Sequence, residues 1–357
     1  MNRYVIDRAA LDGNVRQVVA LAGVPVMAVV KANGYGFGLT EMALACKRGG
    51  ITRFAITELD DIAPLRAVLD EGDDVLVMRS TALADEAAAI VRSGCIATVG
   101  SRAAARALDE AAAAAGAVAR CHVKVDTGFG RYGFLPDDVE GVLTCYACEN
   151  LRVEGVYTHF SAAYGDEALT RSQLAALKGV CAAVEAAGFS AGVRHAANSP
   201  ALFNVPEAKL DLVRIGSAFT GRVITLAPTG LKRVGYLEAQ VIDVKTLPAG
   251  SPLGYGGAAQ VKRETQVAFV SAGTQEGFGL AVEKPPTLRG ALSTAKGAAR
   301  KRRLEVVIGA RAYPVLGEAD LSLTLVDVTG GDVQAGALAR LDPSPLMVGR
   351  NVPRVYV

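Results

Sequence analysis

A single lysine closes an apolar run and opens a glycine-rich turn in 28-AVVKANGYGFG-38, a turn that also carries Tyr35, read here as an exposed tyrosine. A buried strand does not accept an unpaired ammonium at its end, so Lys31 reads as an amine aimed into a site. Comparable residues close other apolar runs. Lys124 and Asp126 precede 127-TGFGR-131 with its Arg131, and Thr158 and His159 end RVEGVYTHF. His195 is followed by Asn198 and Ser199, and Arg214 leads into Ile215, Gly216 and Ser217. Each alone has an ordinary reading as a solvated strand end or a satisfied core residue. Together they offer a nucleophilic amine and donors suited to a phosphate, with no acidic cluster for a metal.

That chemistry requires elements that bring the strand ends to one place. Between about residues 10 and 225, short β-branched runs alternate with alanine-rich stretches. The runs are VPVMAVVKA, RFAIT, DVLVM, IATVG, ARCHVKVDT, RVEGVYTHF, GVRHAANS and DLVRIG. Segments such as 102-RAAARALDEAAAAAG-116 and 168-ALTRSQLAALKGVCAAVEAAG-188 have the length and alanine content of helices. This alternation predicts an α/β (β/α)8 barrel over residues 10–225. The rival is a doubly wound open sheet, which would show a GxGxxG turn after its first strand; VVKANGYGFG does not supply one. In a barrel the carboxyl ends of the strands share one face, so the residues above converge there. Beyond residue 225 the helical stretches stop. The runs YLEAQVIDVKTL, QVAFVSAG, LEVVIGARAYPVL, LSLTLVDV, ALARLDP and PRVYV predict a mostly β domain over residues 226–357, joined by residues 1–9.

Composition narrows the function classes. The 357-residue chain is 51% hydrophobic and 21% charged, which suits a well-buried globular enzyme. A net charge of +2 leaves no footprint for nucleic acid or an anionic membrane. The one basic run, 296-KGAARKRR-303, reads as a solvated loop between strands, with a nucleic-acid patch as the alternative. No apolar stretch has the length of a membrane helix or a signal-peptide core, so a cytoplasmic protein is expected. Cysteines 46, 95, 121, 145, 148 and 181 have no regular spacing and read as small core residues of a reducing compartment. The Cys145–Cys148 pair lacks the second pair or the histidines that a zinc site needs.

Lys31 within VVKANGYGFG, 122-HVKVDTGFGRYG-133, 156-VYTHF-160, 195-HAANS-199 and 213-VRIGSA-218 resemble, in order and spacing, the alanine racemase family. The resemblance spans nearly the whole chain. It implies a pyridoxal-phosphate (PLP) enzyme built as a barrel plus a β-domain, acting on a small amino acid as a homodimer. By this resemblance Lys31 carries PLP covalently and serves as one of two acid–base catalysts. Tyr35, Asn198, Ser199, Gly216 and Ser217 match cofactor-binding positions, most of them gripping its phosphate through hydroxyls and backbone N–H groups. His159 matches an imidazole lying against the cofactor ring. Arg131 matches a residue that bonds the cofactor's phenolic oxygen beside the substrate, and Lys124 a lysine, often carbamylated, that braces that arginine. Arg214 matches an arginine facing the pyridine nitrogen, where a permanent cation keeps that nitrogen unprotonated. Related decarboxylases are expected to place a carboxylate there, so Arg214 points to proton transfer at Cα.

A racemase needs a second acid–base group on the opposite face of the substrate. In 249-AGSPLGYGGA-258 the resemblance gives this role to Tyr255, donated by the other subunit. The β-domain departs from the family pattern in three places. Thr274 stands where a tyrosine guards the substrate entrance. The segment 320-DLS-322, with Leu321 at its centre, replaces one whose backbone binds the substrate carboxylate. Arg350 replaces a tyrosine that touches the cofactor phosphate. A smaller Thr274 would widen the entrance, and Asp320 would favour a cationic side chain. Alanine is therefore the expected substrate. The alternatives are a larger or basic amino acid such as serine, lysine or ornithine, or a PLP-binding homologue without turnover.

Overall fold

A computed structural model describes residues 2–254, 259–280 and 304–357 of the chain. The basic run 296–303 and Tyr255 lie outside the described residues. The chain divides into two compact units, Ala9–Arg233 and Met1–Arg8 with Val234–Val357.

The larger unit is a parallel barrel. Its strands, following β1 (Arg3–Ile6) of the other unit, are β2 (Val26–Val29), β3 (Arg53–Ile56), β4 (Asp74–Val77), β5 (Ile96–Val99), β6 (Ala119–Lys124), β7 (Leu151–Tyr157), β8 (Val193–His195) and β9 (Val213–Ile215). They pair in the order β8-β7-β6-β5-β4-β3-β2-β9, all in parallel. Between β8 and β9 the seam is carried by a parallel bridge from His195 to Leu212 and by Arg214 N donating to Ala197 O at 2.9 Å. Strands β2 and β5 are buried throughout, and β3, β4 and β7 are buried at their carboxyl ends, where they read as apolar runs. Met27, Val29, Ala55, Leu76, Ile96 and Leu212 form one apolar cluster inside.

Helices follow the strands because the alanine-rich segments present one apolar stripe and carry their own start signals. Ser101 accepts a hydrogen bond from Ala104 N at the start of Arg102–Ala114, whose Ala104, Ala105, Leu108 and Ala112 face the barrel. Asp138, Asp166 and Asn198 cap Val139–Ala147, Glu167–Ala186 and Ser199–Asn204 in the same way. No helix among the described residues is long and apolar enough to cross a membrane.

The smaller unit is a mostly antiparallel sheet in which β1 and its last strand run parallel. Its long strand β10 (Gly235–Leu247) pairs along its first half with β1 and β17 (Leu338–Leu341). After a bulge between Val241 and Asp243 it pairs with β13 (Thr265–Val270). Strands β14 (Glu305–Ile308), β15 (Arg311–Pro314), β16 (Thr324–Asp327) and β18 (Arg354–Tyr356) complete it, and β11 (Pro252–Leu253) pairs with β12 (Ala259–Gln260) apart from it. The run LEVVIGARAYPVL is two strands, because Gly309, at φ 63°, turns the chain back on itself.

Candidate active site

At the carboxyl ends of the barrel strands lies a cavity of about 220 Å³, lined among others by Lys31, Tyr35, Lys124, Arg131, His159, Asn198, Ser199, Arg214, Gly216 and Ser217. These residues come from strands and loops far apart in sequence, and the barrel brings them together. Of the other residues the sequence singled out, Leu321 and Arg350 are in the smaller unit, both exposed. The cavity also takes in Thr57, Met78, Tyr132 and Tyr157, which the sequence reading did not single out as site residues. Tyr132 and Tyr157 adjoin Arg131 and Thr158, and an aromatic flanking a strand-end candidate was the available signal.

The lysine turn differs from its sequence reading in two ways. Strand β2 ends at Val29, and only the Val30 N–H, bonded to Ala55 O at 2.9 Å, continues the ladder. The next residues then form a left-handed turn, with Ala32, Asn33 and Tyr35 at φ 52°, 56° and 56°. Asn33 stabilises it by accepting from Leu39 N at 3.0 Å, and Gly38 N closes it on Asn33 O. Tyr35 is therefore not exposed: it is half-buried against the barrel's apolar cluster. A Cβ on Gly216 would overlap its ring, so the approach of Tyr35 to the Gly216–Ser217 backbone requires glycine there. Burial pushes the Tyr35 phenol up to about 12, leaving a neutral hydroxyl as a donor.

Ser199 joins two elements. Its Oγ accepts from Gly216 N at 3.1 Å and Ala218 N at 3.2 Å, docking the start of its own short helix onto the backbone that follows β9. The loop after β6 is organised by Asp126. Its Oδ1 accepts from the amides of Gly128, Phe129 and Gly130, and its Oδ2 from that of Arg131, at 2.8–3.2 Å. Burial alone would raise this carboxyl, but these backbone donors hold it below its ordinary value. Arg131, so placed, lies over the Phe129 ring at 4.3 Å, and Phe129 meets His159 edge to face at 5.3 Å. Asp126→Ala is expected to destabilise the protein by about 2 kcal/mol, since four partly buried loop amides lose an ionised acceptor. Urea unfolding would measure this. A carboxyl held low stabilises above its ordinary range near ~4, so the difference from wild type should shrink as pH falls through the lower folded value.

The cations are held in different states. Burial, then Arg131, lowers the Lys31 ammonium. Burial also lowers Lys124, to about 8, and its Nζ donates to Tyr132 O at 2.6 Å. Arg214 is fully inside the barrel. Its guanidinium donates to His195 Nδ1 at 2.8 Å, Thr158 O at 2.6 Å and Ala196 O at 3.2 Å, and it covers the Tyr157 ring at 4.9 Å. Burial lowers it to about 10. His159 is held well below its ordinary value, by burial first and then by Arg214, Arg131, Lys31 and Lys124, so its imidazole is neutral. Four cationic side chains line this cavity and no lining residue carries a carboxylate. Such a set repels a metal ion and suits an anion with a flat, hydrogen-bonding body.

Comparisons with known proteins agree with one another. A family model described as alanine racemase, N-terminal domain, matches residues 6–223, and one described as alanine racemase, C-terminal domain, matches residues 234–343. An alanine racemase of Desulfovibrio desulfuricans is 31% identical over 380 residues, covering 99% of this chain and 97% of that one. The solved alanine racemase of Streptomyces coelicolor superposes with a TM-score of 0.86 at 29% identity, over 100% of this chain and 98% of that one. A third, from Bartonella henselae and solved with covalently bound pyridoxal phosphate, shares the fold at 23% identity, with a TM-score of 0.83 and coverage of 100% and 99%.

Proposed function

We propose, from the premise that the chain belongs to the alanine racemase family, that its barrel cavity holds PLP and that Lys31 is the residue that carries it. The protein is an isomerase, an amino-acid racemase, and alanine is its substrate. One observation supports the cofactor assignment above the others. A lysine whose ammonium is lowered, a neutral imidazole, a buried arginine and the Tyr35–Ser199–Gly216 cradle line a single cavity without a carboxylate. When bound, PLP supplies an electron sink that makes the substrate Cα proton removable.

The chain's own residues then have separate tasks. Tyr35, Asn198, Ser199, Gly216 and Ser217 hold the phosphate end, and His159 lies against the ring as a neutral plane. Lys31, its ammonium lowered by burial and then by Arg131, takes and returns the Cα proton on one side. On the other side the proton belongs to Tyr255, supplied by a second copy of the chain in a homodimer. Arg131, braced by Lys124, orients the ring's oxygen, while the assignment of Arg350 and Leu321 to phosphate and substrate contacts rests on the family resemblance alone. A cytoplasmic enzyme supplying a D-amino acid fits this assignment.

A second reading, racemisation of a basic amino acid, is favoured by the β-domain. The two departures from the family pattern adjoin there: Thr274 N donates to Asp320 O at 2.9 Å and Gln275 N to Leu321 O at 2.8 Å. Incubating PLP-loaded protein in D2O with single L-amino acids separates the readings. Deuterium is expected at Cα of alanine, together with D-alanine. Exchange confined to lysine or ornithine would replace the first reading by the second, and no exchange with any amino acid would refute both.

A further inference from the structure

Beneath Arg214 the barrel interior holds two more imidazoles in series. His195 Nε2 lies 2.8 Å from His122 Nδ1, the rings meeting edge to face at 4.9 Å, and neither histidine lines the cavity. We propose, on the racemase reading above, that His122 is a positioning residue: by accepting the Nε2 proton of His195 it fixes the one tautomer of His195 that can receive Arg214.

Donor and acceptor capacity fixes both tautomers. A guanidinium has no acceptor, so the 2.8 Å contact between Arg214 and His195 Nδ1 requires an unprotonated Nδ1. A neutral His195 then carries its proton on Nε2, and the next ring can only accept it. Both imidazoles are therefore neutral and carry hydrogen on Nε2. The charges facing His122 agree with this. Arg120 on its own strand, Arg53 on β3 and Arg214 on β9 oppose its protonation, and Asp74 on β4 alone favours it. With burial leading, His122 falls to about 4, and His195 lies well below its ordinary value for the same first reason.

Packing leaves the rings little freedom. Tyr157 stacks on His195 at 4.7 Å with an interplanar angle of 7°. Strand β7 bulges so that His122 pairs with Gly155 while Cys121 pairs with Val153. A Cβ at Gly155 would press on the His122 ring at 3.2 Å and collide with Val193 O. The other tautomer of His195 would set an Nδ1–H against the Arg214 N–H groups. A proton at His122, outside the cavity, thus decides whether Arg214 keeps its place within it.

The chain has three histidines, so long-range proton–nitrogen correlation spectra of 15N-histidine protein resolve every ring without any turnover. Both His122 and His195 are expected to stay neutral, with Nδ1 unprotonated, between about pH 5 and 8. A proton on either Nδ1, or titration of either ring in that window, overturns the proposal. In the PLP-loaded enzyme, His122→Leu is expected to lower kcat about 10–100-fold with KM for alanine within about twofold. His122→Asn, which keeps an acceptor oxygen near the Nδ1 position, should restore kcat to within about threefold. A folded His122→Leu protein with wild-type kcat, or an Asn variant no better than Leu at equal thermal stability, also overturns it. Wild-type protein that racemises nothing would instead refute the functional reading, with the tautomers still legible.

Discussion

Replacing Lys31 with alanine is expected to lower racemisation by at least about 10⁴-fold, the upper end of what one acid–base group contributes, and to remove the visible absorbance of the PLP-loaded protein. Among the described residues the one other primary amine in the cavity lining is Lys124, and it cannot substitute. Its Nζ is committed to Tyr132 O at 2.6 Å and faces the Tyr132 ring at 5.1 Å. Lys31 has neither restraint; burial and Arg131 lower its ammonium, which eases the loss of its proton. Lys31→Arg keeps a cation but not a nucleophile, because a guanidinium stays protonated, so it should be as inactive as alanine. Cα exchange in D2O and the visible spectrum read the two consequences independently. Full visible absorbance in the alanine variant would refute the attachment, whatever became of turnover.

Arg214→Glu is expected to lower racemisation by about 10³-fold and to raise the share of substrate that ends as something other than its mirror image. A carboxylate at this place would favour a protonated pyridine nitrogen, and a stronger electron sink opens competing bond cleavages. It would also leave His195 Nδ1 and the carbonyls of Thr158 and Ala196 without their donor. Arg214→Lys keeps the charge but loses the fork, and should fall by about 10²-fold with product ratio unchanged. Chiral chromatography with a keto-acid assay gives both numbers. A Glu variant as faithful as wild type would show that the cation does not govern reaction choice.

The strand ends were legible because a parallel barrel has a simple grammar: short strands of three to seven residues, each closed by whatever the site requires. Lys31, His159, Ser199 and Arg214 could be read that way since nothing in a strand's packing calls for them. What stayed hidden was tertiary. His122 sits inside the run CHVKV, where its ring serves His195 on another strand, and the bulge opposite it depends on the pairing with Gly155. Asp126 looked like one more strand-end polar residue. Its work is to gather four amides of the loop that follows, a geometry that appears only once Gly128 and Gly130 take positive φ. The hand of the turn after Lys31 was likewise out of reach, because ordinary propensity disfavours it for Ala32 and Tyr35.

That left-handed turn has a consequence for anyone engineering the protein. Residues other than glycine at such φ values cost roughly 1–2 kcal/mol each, less at asparagine, so Ala32 and Tyr35 mark where a search for higher melting temperature would find its easiest gains. Ala32→Gly would relax the backbone, and the same relaxation would loosen the peptide beside the reacting amine. Thermal tolerance and an ordered Lys31 therefore pull against each other within one turn of chain, and stabilising substitutions are better sought on the outer helices.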